Sequence, residues 1–381
     1  MRFVKQYIVT YLKSPLRGQK NNPLCIEPVD RREIGIPTQL PFSFSGCVLK
    51  TERRSPKHHL YFQEDENINL ATYDPKMSYK DSAQLCESCL LKAYTTHKLF
   101  VNHPSCDKFA LIIEPRFHTL TEAVIFNFMH FLNPRGWNLI IASFSGYHTQ
   151  IAERFPYAIV CDIADNLIHM DENGLPNIST DNYNKILMDV RFWRSLPGNR
   201  ILIFQLDCIM FHMFDERFLF YDYAGANFKN DASPIYGGIN GGFSIRNRRS
   251  IIECLEKITW EDINEYRMSR KHWPLSDPRE LTRRNEDVFF THACEILAKN
   301  VPDIFSRTFL AMEVKLEAFP ILDSEEKRIQ WEEQQEDISK SMNALNCQAA
   351  VYHGWNKNHL SINDVKRMLK SSPLFSEFLD A

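Results

Sequence analysis

The sequence predicts an α/β fold: a mostly parallel sheet flanked by helices, behind an irregular N-terminal extension. Three observations predict it. From residue 108 onward, short uninterrupted apolar runs recur, the mark of strands buried on both faces. Segments of helical periodicity alternate with these runs, as crossover helices between parallel strands would. The first 105 residues have neither pattern. They carry Pro15, Pro23, Pro28, Pro37, Pro41, Pro56 and Pro75, with scattered charge clusters.

Within the extension, 42–49 and 59–62 have the composition of short strands. Phe109-Ala110-Leu111-Ile112-Ile113 is the first buried strand of the core. A helix follows over 119–132, with Leu120, Val124, Phe128 and Phe131 on one face and Thr121 near its start as a capping residue. Asn133-Pro134-Arg135-Gly136 ends it. Strands are expected at 137–142 and 158–161, with a short helix at 151–155 between them. A helix over 179–192 starts at Ser179, and a fourth strand spans 200–205. Helices then dominate, at 249–255, 262–268 and 286–299. A charged helix is expected at 324–341, with Trp331 and Ile338 as its buried stripe. A strand-like stretch at 348–352 and a terminal helix from Ser361 complete the chain. The expected division is an extension over 1–105, a core over 106–322, and a C-terminal segment over 323–381.

The 381 residues suffice for one large domain with an appendage. With 44% hydrophobic and 24% charged residues, the composition is that of a globular chain. A net charge of −3 argues against a nucleic-acid partner. No run of about 18 apolar residues is present, so no membrane span is expected. The apolar stretch at the N-terminus is broken by Lys5 and Gln6 and lacks a cleavage site, so a cytoplasmic location is expected. Most of the ten cysteines lie singly in apolar patterns. Cys86 and Cys89, with His97, His103 and Cys106 behind them, have the spacing of half a zinc knuckle. No second close ligand pair follows, so a helix carrying two unrelated cysteines, without zinc, is expected.

Three motifs carry the chemistry. Asp207 follows the fourth strand, where ligands meet parallel sheets. A carboxylate held there can share a hard divalent cation with a diphosphate, though it can equally cap a turn. Asp222 is a rival or second ligand. Asn240-Gly241-Gly242-Phe243-Ser244-Ile245-Arg246 sits in the richest glycine cluster of the chain. Its glycines would allow positive φ and a close approach to a sugar, with Arg246 at a strand edge near phosphate. A bulge without a ligand is the plainer reading. Glu286 and Asp287 open a helix. One of them could take the proton from an attacking hydroxyl, and acids also favour first helical turns for stability alone. His353 in His353-Gly354-Trp355 would be a late metal ligand or an ordinary buried histidine.

Residues 108–357 together resemble a domain family related to GT-A-type (Rossmann-like) glycosyltransferases. The matching stretches are Ile113-Glu114-Pro115-Arg116, Phe192-Trp193-Arg194-Ser195-Leu196, Phe204-Gln205-Leu206-Asp207, and Tyr221-Asp222-Tyr223-Ala224-Gly225-Ala226. Asn240 to Arg246, Glu286-Asp287-Val288-Phe289-Phe290 and His353-Gly354-Trp355 complete the set. The resemblance implies a sugar transferase using a nucleotide-diphosphate sugar, a glycan or protein acceptor, and Mn²⁺ or Mg²⁺. It implies that Glu114 and Arg116 lie beside the nucleotide and that Asp207 binds metal with His353. Gln205, Asn240, Gly241, Gly242 and Arg246 would line the donor site, and Asp287, with Glu286, would serve catalysis, with inversion expected. Gln205 stands where the Asp-x-Asp motif of such enzymes has its first acid, and Asn227-Phe228 where Pro-Trp is common. Two other readings are a catalytically silent carbohydrate- or protein-binding module and a metal-dependent hydrolase of nucleotide-linked substrates.

Overall fold

A computed structural model describes residues 47–50, 79–95, 100–227, 238–269, 284–302, 304–312, 317–320, 349–355 and 362–379. The expected helix at 324–341, the strand at 59–62 and residue His97 lie outside these. In chain order the elements are β1 (Cys47–Lys50), α1 (Tyr79–Tyr94), β2 (Lys108–Ile113), α2 (Thr119–Leu132), β3 (Asn138–Ser143), α3 (His148–Arg154) and β4 (Ile159–Asp162). Next come β5 (Ile168–Met170), β6 (Pro176–Ile178), α4 (Thr180–Leu187), α5 (Val190–Ser195), β7 (Arg200–Phe204), β8 (Cys208–Met210), β9 (Tyr223–Asn227) and β10 (Ile239–Asn247). The remainder are α6 (Arg248–Lys257), α7 (Trp260–Ser269), α8 (Glu286–Ile296), α9 (Ile304–Leu310), β11 (Ala311–Met312), β12 (Glu317–Pro320), β13 (Val351–His353) and α10 (Ile362–Ser371).

The α/β class expected from the sequence is the one observed. Nine strands form the central sheet in the order β4-β3-β2-β7-β10-β9-β11-β13-β8. β4, β3, β2 and β7 are parallel. β10 runs antiparallel between β7 and β9, β11 and β13 run parallel to β9, and β8 closes the edge antiparallel. β2 has β3 on one side and β7 on the other. The strand order therefore reverses there, and the carboxyl ends of β2 and β7 form the switch point at which open α/β sheets bind ligands.

Alternation along the strands fills both faces. Ala110 and Ile112 of β2, Leu139 and Ile141 of β3, and Leu202 and Phe204 of β7 join one core with α1, α2 and α10. Phe109, Leu111, Ile113, Ile140, Ile201 and Ile203 point the other way, into a second core with α4, α5, α6 and α8. Each such fully buried aliphatic side chain stabilises the fold by about 1.5–3 kcal/mol. The expected boundaries at 105 and 322 do not separate cores. α1 and α10 pack in the first core, and β13 is a strand of the central sheet.

Several details differ from expectation. Thr121 does not cap α2; the His118 ring does, accepting from the Thr121 backbone N–H. The helix expected over 179–192 is two helices. Ser179 caps α4 as expected, but Asp189 takes the Arg191 N–H and restarts the chain as α5. The β5–β6 hairpin, β8 and β9 had no expected counterpart. Among the described residues no helix is long and apolar enough to cross a membrane.

Candidate functional site

The site gathers where β7 ends. Phe204 is its last strand residue, and the chain then turns so that the Cys208 N–H donates to the Gln205 carbonyl at 3.0 Å. Asp207 lies in that turn. Its own carbonyl accepts the Gly354 and Trp355 N–H groups at 2.6 and 3.2 Å. The Trp355 indole N–H reaches the Leu206 carbonyl at 3.2 Å. Gly354 has φ 75°, the left-handed conformation that lets the chain curl over Asp207. This backbone grip carries His353 to the turn. Its Nε2 lies 3.4 Å from Asp207 Oδ1 and 3.4 Å from Gln205 Oε1. His353 is buried, and among the described residues its Nδ1 has no hydrogen-bond partner. Asp207 and His353, far apart in sequence, are thus brought together.

Cys208 joins them: one donor atom each from Asp207, Cys208 and His353 lies within 4.8 Å of the others. Such a set can hold a divalent ion. Asp222 does not belong to it. Its carboxylate accepts from Asn247, Ser250 and the Asn300 N–H, at the end of β10 that lies away from the turn. Asp222 clamps β9 to α6, so the expectation that it rivals Asp207 is corrected.

The glycine pair is used differently from expectation. Neither Gly241 nor Gly242 has positive φ. The register of β10 against β9 shifts between Asn240 and Ser244, so 241–243 form a bulge. A Cβ on Gly241 would collide with the Glu286 carboxylate, 2.9 Å from its Cδ, and stand 3.0 Å from Arg246. A Cβ on Gly242 would collide with His353 and Gln205 and lie 3.0 Å from Asn240 Oδ1. The protein's own polar side chains fill the space that the glycines leave. The Asn240 side-chain oxygen in turn accepts the Gly242 N–H at 2.7 Å.

Arg246 is not at an exposed edge. It is fully buried, with its guanidinium 5.0 Å from the Tyr223 ring centre, 5.3 Å from Phe290 and 5.5 Å from Trp193. It forms a two-pronged pair with Glu286, at 3.0 and 3.1 Å, and also donates to Ser244 and to the Gly241 carbonyl. Burial alone would lower its pKa; the Glu286 charge, with Tyr223 and Tyr183, more than offsets this and raises it. Glu286 is buried as well. The pair ties the bulge to the start of α8. Arg246 is therefore a structural cation, and a phosphate contact for it is corrected.

Asp287 is the next residue, half-buried in the first turn of α8. Its side chain accepts the Val288 N–H at 2.7 Å, and its carbonyl accepts the Thr291 hydroxyl. Asn285 does not cap the helix with its own side chain. Asn184 of α4 does so from outside, accepting the Glu286 N–H at 3.3 Å. Beside it, the Tyr183 hydroxyl is pushed above its ordinary value by burial and by Glu286, while Gln205 pulls the other way. Tyr183, Asn184 and Cys208 are site residues that the sequence reading missed. Only the position of Cys208 next to Asp207 signalled any of them.

Glu114 and Arg116 follow β2. The Glu114 carboxylate accepts from the Arg116 Nε and Nη2 at 2.7 and 2.9 Å and from its backbone N–H at 3.0 Å. That bonding raises the Arg116 pKa. The pair lies at the same sheet edge as the Gln205–Asp207 turn, since β2 and β7 are parallel neighbours. Cys86 and Cys89 are remote from all this. Both are buried in the α1 core, which raises both thiols, Cys89 to about 12. Cys106 contacts the Lys108 and Gly136 carbonyls, and His103 the Asn133 carbonyl.

Residues 167–327, less than half of the chain, match the model of a family described as "Protein of unknown function (DUF5672)". No curated protein matches the chain. Among solved structures it is similar to the apo form of the glycosyltransferase GlyE of Streptococcus pneumoniae TIGR4, with 9% identity and a TM-score of 0.36 over 72% of this chain and 64% of GlyE. It thus spans less than two thirds of that protein. A mannosyltransferase of Pyrobaculum calidifontis, PcManGT, solved with GDP-Man and Mn²⁺, shares 11% identity at TM-score 0.30 over 79% of this chain and 85% of its own. The PaToxG glycosyltransferase shares 11% at 0.27 over 79% and 95%. Likenesses this distant say nothing of the chemistry at the site.

Proposed function

We propose that this protein transfers a sugar from a nucleotide-diphosphate sugar to an acceptor hydroxyl, as a GT-A-type glycosyltransferase using a divalent cation. One observation carries the reading: the Asp207 turn sits at the carboxyl end of β7, held against buried His353 by the Gly354 and Trp355 amides. A carboxylate and an imidazole so fixed suit a divalent ion, which when bound neutralises diphosphate charge as the nucleotide leaves. Imidazole is a poor partner for Mg²⁺, so of the two expected ions Mn²⁺ fits this pair better than Mg²⁺.

The remaining roles rest on the chain's own residues. Glu114 and Arg116, closed on each other at the end of β2, would orient the nucleotide. Gln205 and Asn240 would offer amide groups to the sugar or diphosphate. Gly241 and Gly242 let Glu286, His353 and Gln205 close in on the β10 bulge, and so would shape the wall of the donor site. Asp287 would accept the acceptor hydroxyl proton as the oxygen attacks the anomeric carbon, giving inversion. Glu286 would hold Asp287 in place through Arg246. One feature favours a silent binding module instead: Gln205 is neutral where a second acid would add charge.

Calorimetry with nucleotide-diphosphate sugars, with and without Mn²⁺, tests the proposal. Metal-enhanced binding that is lost in Asp207→Ala supports it. Metal-independent binding, unchanged in that variant, would reject the assignment of Asp207.

A further inference from the structure

We propose that Cys208 is a third ligand at the Asp207–His353 site. It would give that site a preference for thiophilic divalent ions such as Zn²⁺ and Co²⁺ over Mn²⁺ and Mg²⁺. The inference rests on the reading of Asp207 and His353 as metal ligands and adds a donor that changes which metal they take.

The sheet register fixes the juxtaposition. Cys208 of β8 is paired directly with His353 of β13 in an antiparallel ladder. Directly opposed residues put their side chains on the same face, with Cβ atoms about 4.5–5.5 Å apart. Asp207 precedes β8 and lies in the turn, so the alternation of a strand does not force its side chain to the other face. The Gly354 and Trp355 amides anchor that turn to the segment that carries His353. The result is the three-atom convergence within 4.8 Å.

A buried cysteine alone would be ordinary core packing. Here the second observation is the imidazole paired with it across the ladder: His353 is buried, and its Nε2 faces Asp207 Oδ1 and Gln205 Oε1, each at 3.4 Å, so that ring nitrogen is aimed into the same convergence. A backbone N–H, that of Gln205, also points at Cys208 Sγ from 3.4 Å, as outer hydrogen bonds do for metal thiolates. The thiol itself lies 3.5 Å from the Gly242 carbonyl. On coordination its proton passes to solvent and the sulfur binds as thiolate. Thiolate and imidazole select zinc-like ions, whereas carboxylate and water suit Mg²⁺ and Mn²⁺. One carboxylate, one imidazole and one thiolate leave a tetrahedral ion a single open position, enough for a diphosphate oxygen.

The test uses the full chain, stripped of metal with a chelator and titrated with Co²⁺. A sulfur-to-cobalt charge-transfer band should grow to one equivalent, be displaced by Zn²⁺, and resist the same concentration of Mn²⁺. Co²⁺-edge X-ray absorption should count one sulfur per metal in the unaltered protein, independently of any variant. Cys208→Ser and Cys208→Ala should abolish the band and weaken Co²⁺ roughly 10–100-fold or more, a loss at least as large as removal of an outer partner gives. Mn²⁺ binding, read by electron paramagnetic resonance, should persist in both variants. If Co²⁺ binds without sulfur, and binding is lost in Asp207→Ala, Cys208 is not a ligand and the two-ligand site stands. A band that survives Cys208→Ser would assign it to another cysteine and also overturn the inference. If neither Co²⁺ nor Mn²⁺ binds, the metal reading of Asp207 and His353 falls with it.

Discussion

Glu286 and Asp287 look interchangeable in sequence, yet their surroundings differ sharply. Glu286 is buried against Arg246. Glu286→Gln therefore leaves a guanidinium enclosed by three aromatic rings without its counter-charge. Breaking a buried pair from one side costs about 3–5 kcal/mol, far more than the roughly 0.3–1 kcal/mol of a first-turn acid on a helix dipole. Urea unfolding checks this, and a loss below about 1 kcal/mol would reject the structural role. Asp287→Asn should leave stability nearly unchanged. If Asp287 is the base, turnover should fall roughly 10²–10⁴-fold while donor affinity stays within a few-fold. Near-normal transfer by Asp287→Asn would remove it from the mechanism. Asp207→Ala should weaken both cation and nucleotide-diphosphate binding without unfolding the protein, as calorimetry and circular dichroism would read. These acids were legible in the sequence because strand ends and helix starts are local signals. The reason for the glycine pair was not. Gly241 answers to Glu286 and Gly242 to His353, partners that only the folded sheet brings near.

Among the elements, α1 offers a pH test. Cys86 and Cys89 dock it into the first core, and burial raises both thiols above their ordinary value of 9.0, Cys89 to about 12. A folded-state pKa above the unfolded one means that the unfolded chain loses its protons first. The stabilisation is then complete below about pH 9 and fades as pH rises toward 12. Native-state alkylation of both thiols should be slow at pH 8 and accelerate across that window, as peptide mass mapping would follow. Fast labelling at pH 8 would mean that α1 is not docked. Any zinc that copurifies should survive Cys86→Ser. The strands β2, β3, β4 and β7 and the helix α2 were legible, because full burial writes continuous apolar runs and a clear helical period. β9 was not. Its Tyr-Ala-Gly-Ala-Asn composition is poor for a strand, and the small residues are needed where the β10 bulge presses close. A Cβ on Gly225 would stand 2.6 Å from the Phe243 carbonyl. The break between α4 and α5 was also hidden, since the capping acid Asp189 reads equally well as an exposed helical residue.

At the scale of the whole molecule, the reversal of strand order at β2 puts the acids of two neighbouring strand ends on one edge, while the β10 bulge and α8 bring a further acid toward it. Under the proposed function that arrangement would serve a donor with a charged leaving group and an acceptor arriving from elsewhere, and it would make binding and transfer separable. A true donor sugar nucleotide stabilises only the folded state, by about 2.7 kcal/mol at a hundred times its Kd. For a chain of this size such a gain raises Tm by several degrees. A thermal-shift screen of nucleotide-diphosphate sugars with Mn²⁺ and with Zn²⁺ should therefore pick out one nucleotide and one sugar, and the shift should vanish with chelator. The same donor, incubated without acceptor, should release free sugar slowly through attack by water. An acceptor from a glycan or protein panel should divert that sugar into a new glycoside bond, and Asp287→Asn should suppress the diversion. Release of sugar at an equal rate with every acceptor would make the protein a hydrolase. A chain that binds no sugar nucleotide with any ion, yet retains a glycan or a protein, would be a binding module built on the same sheet.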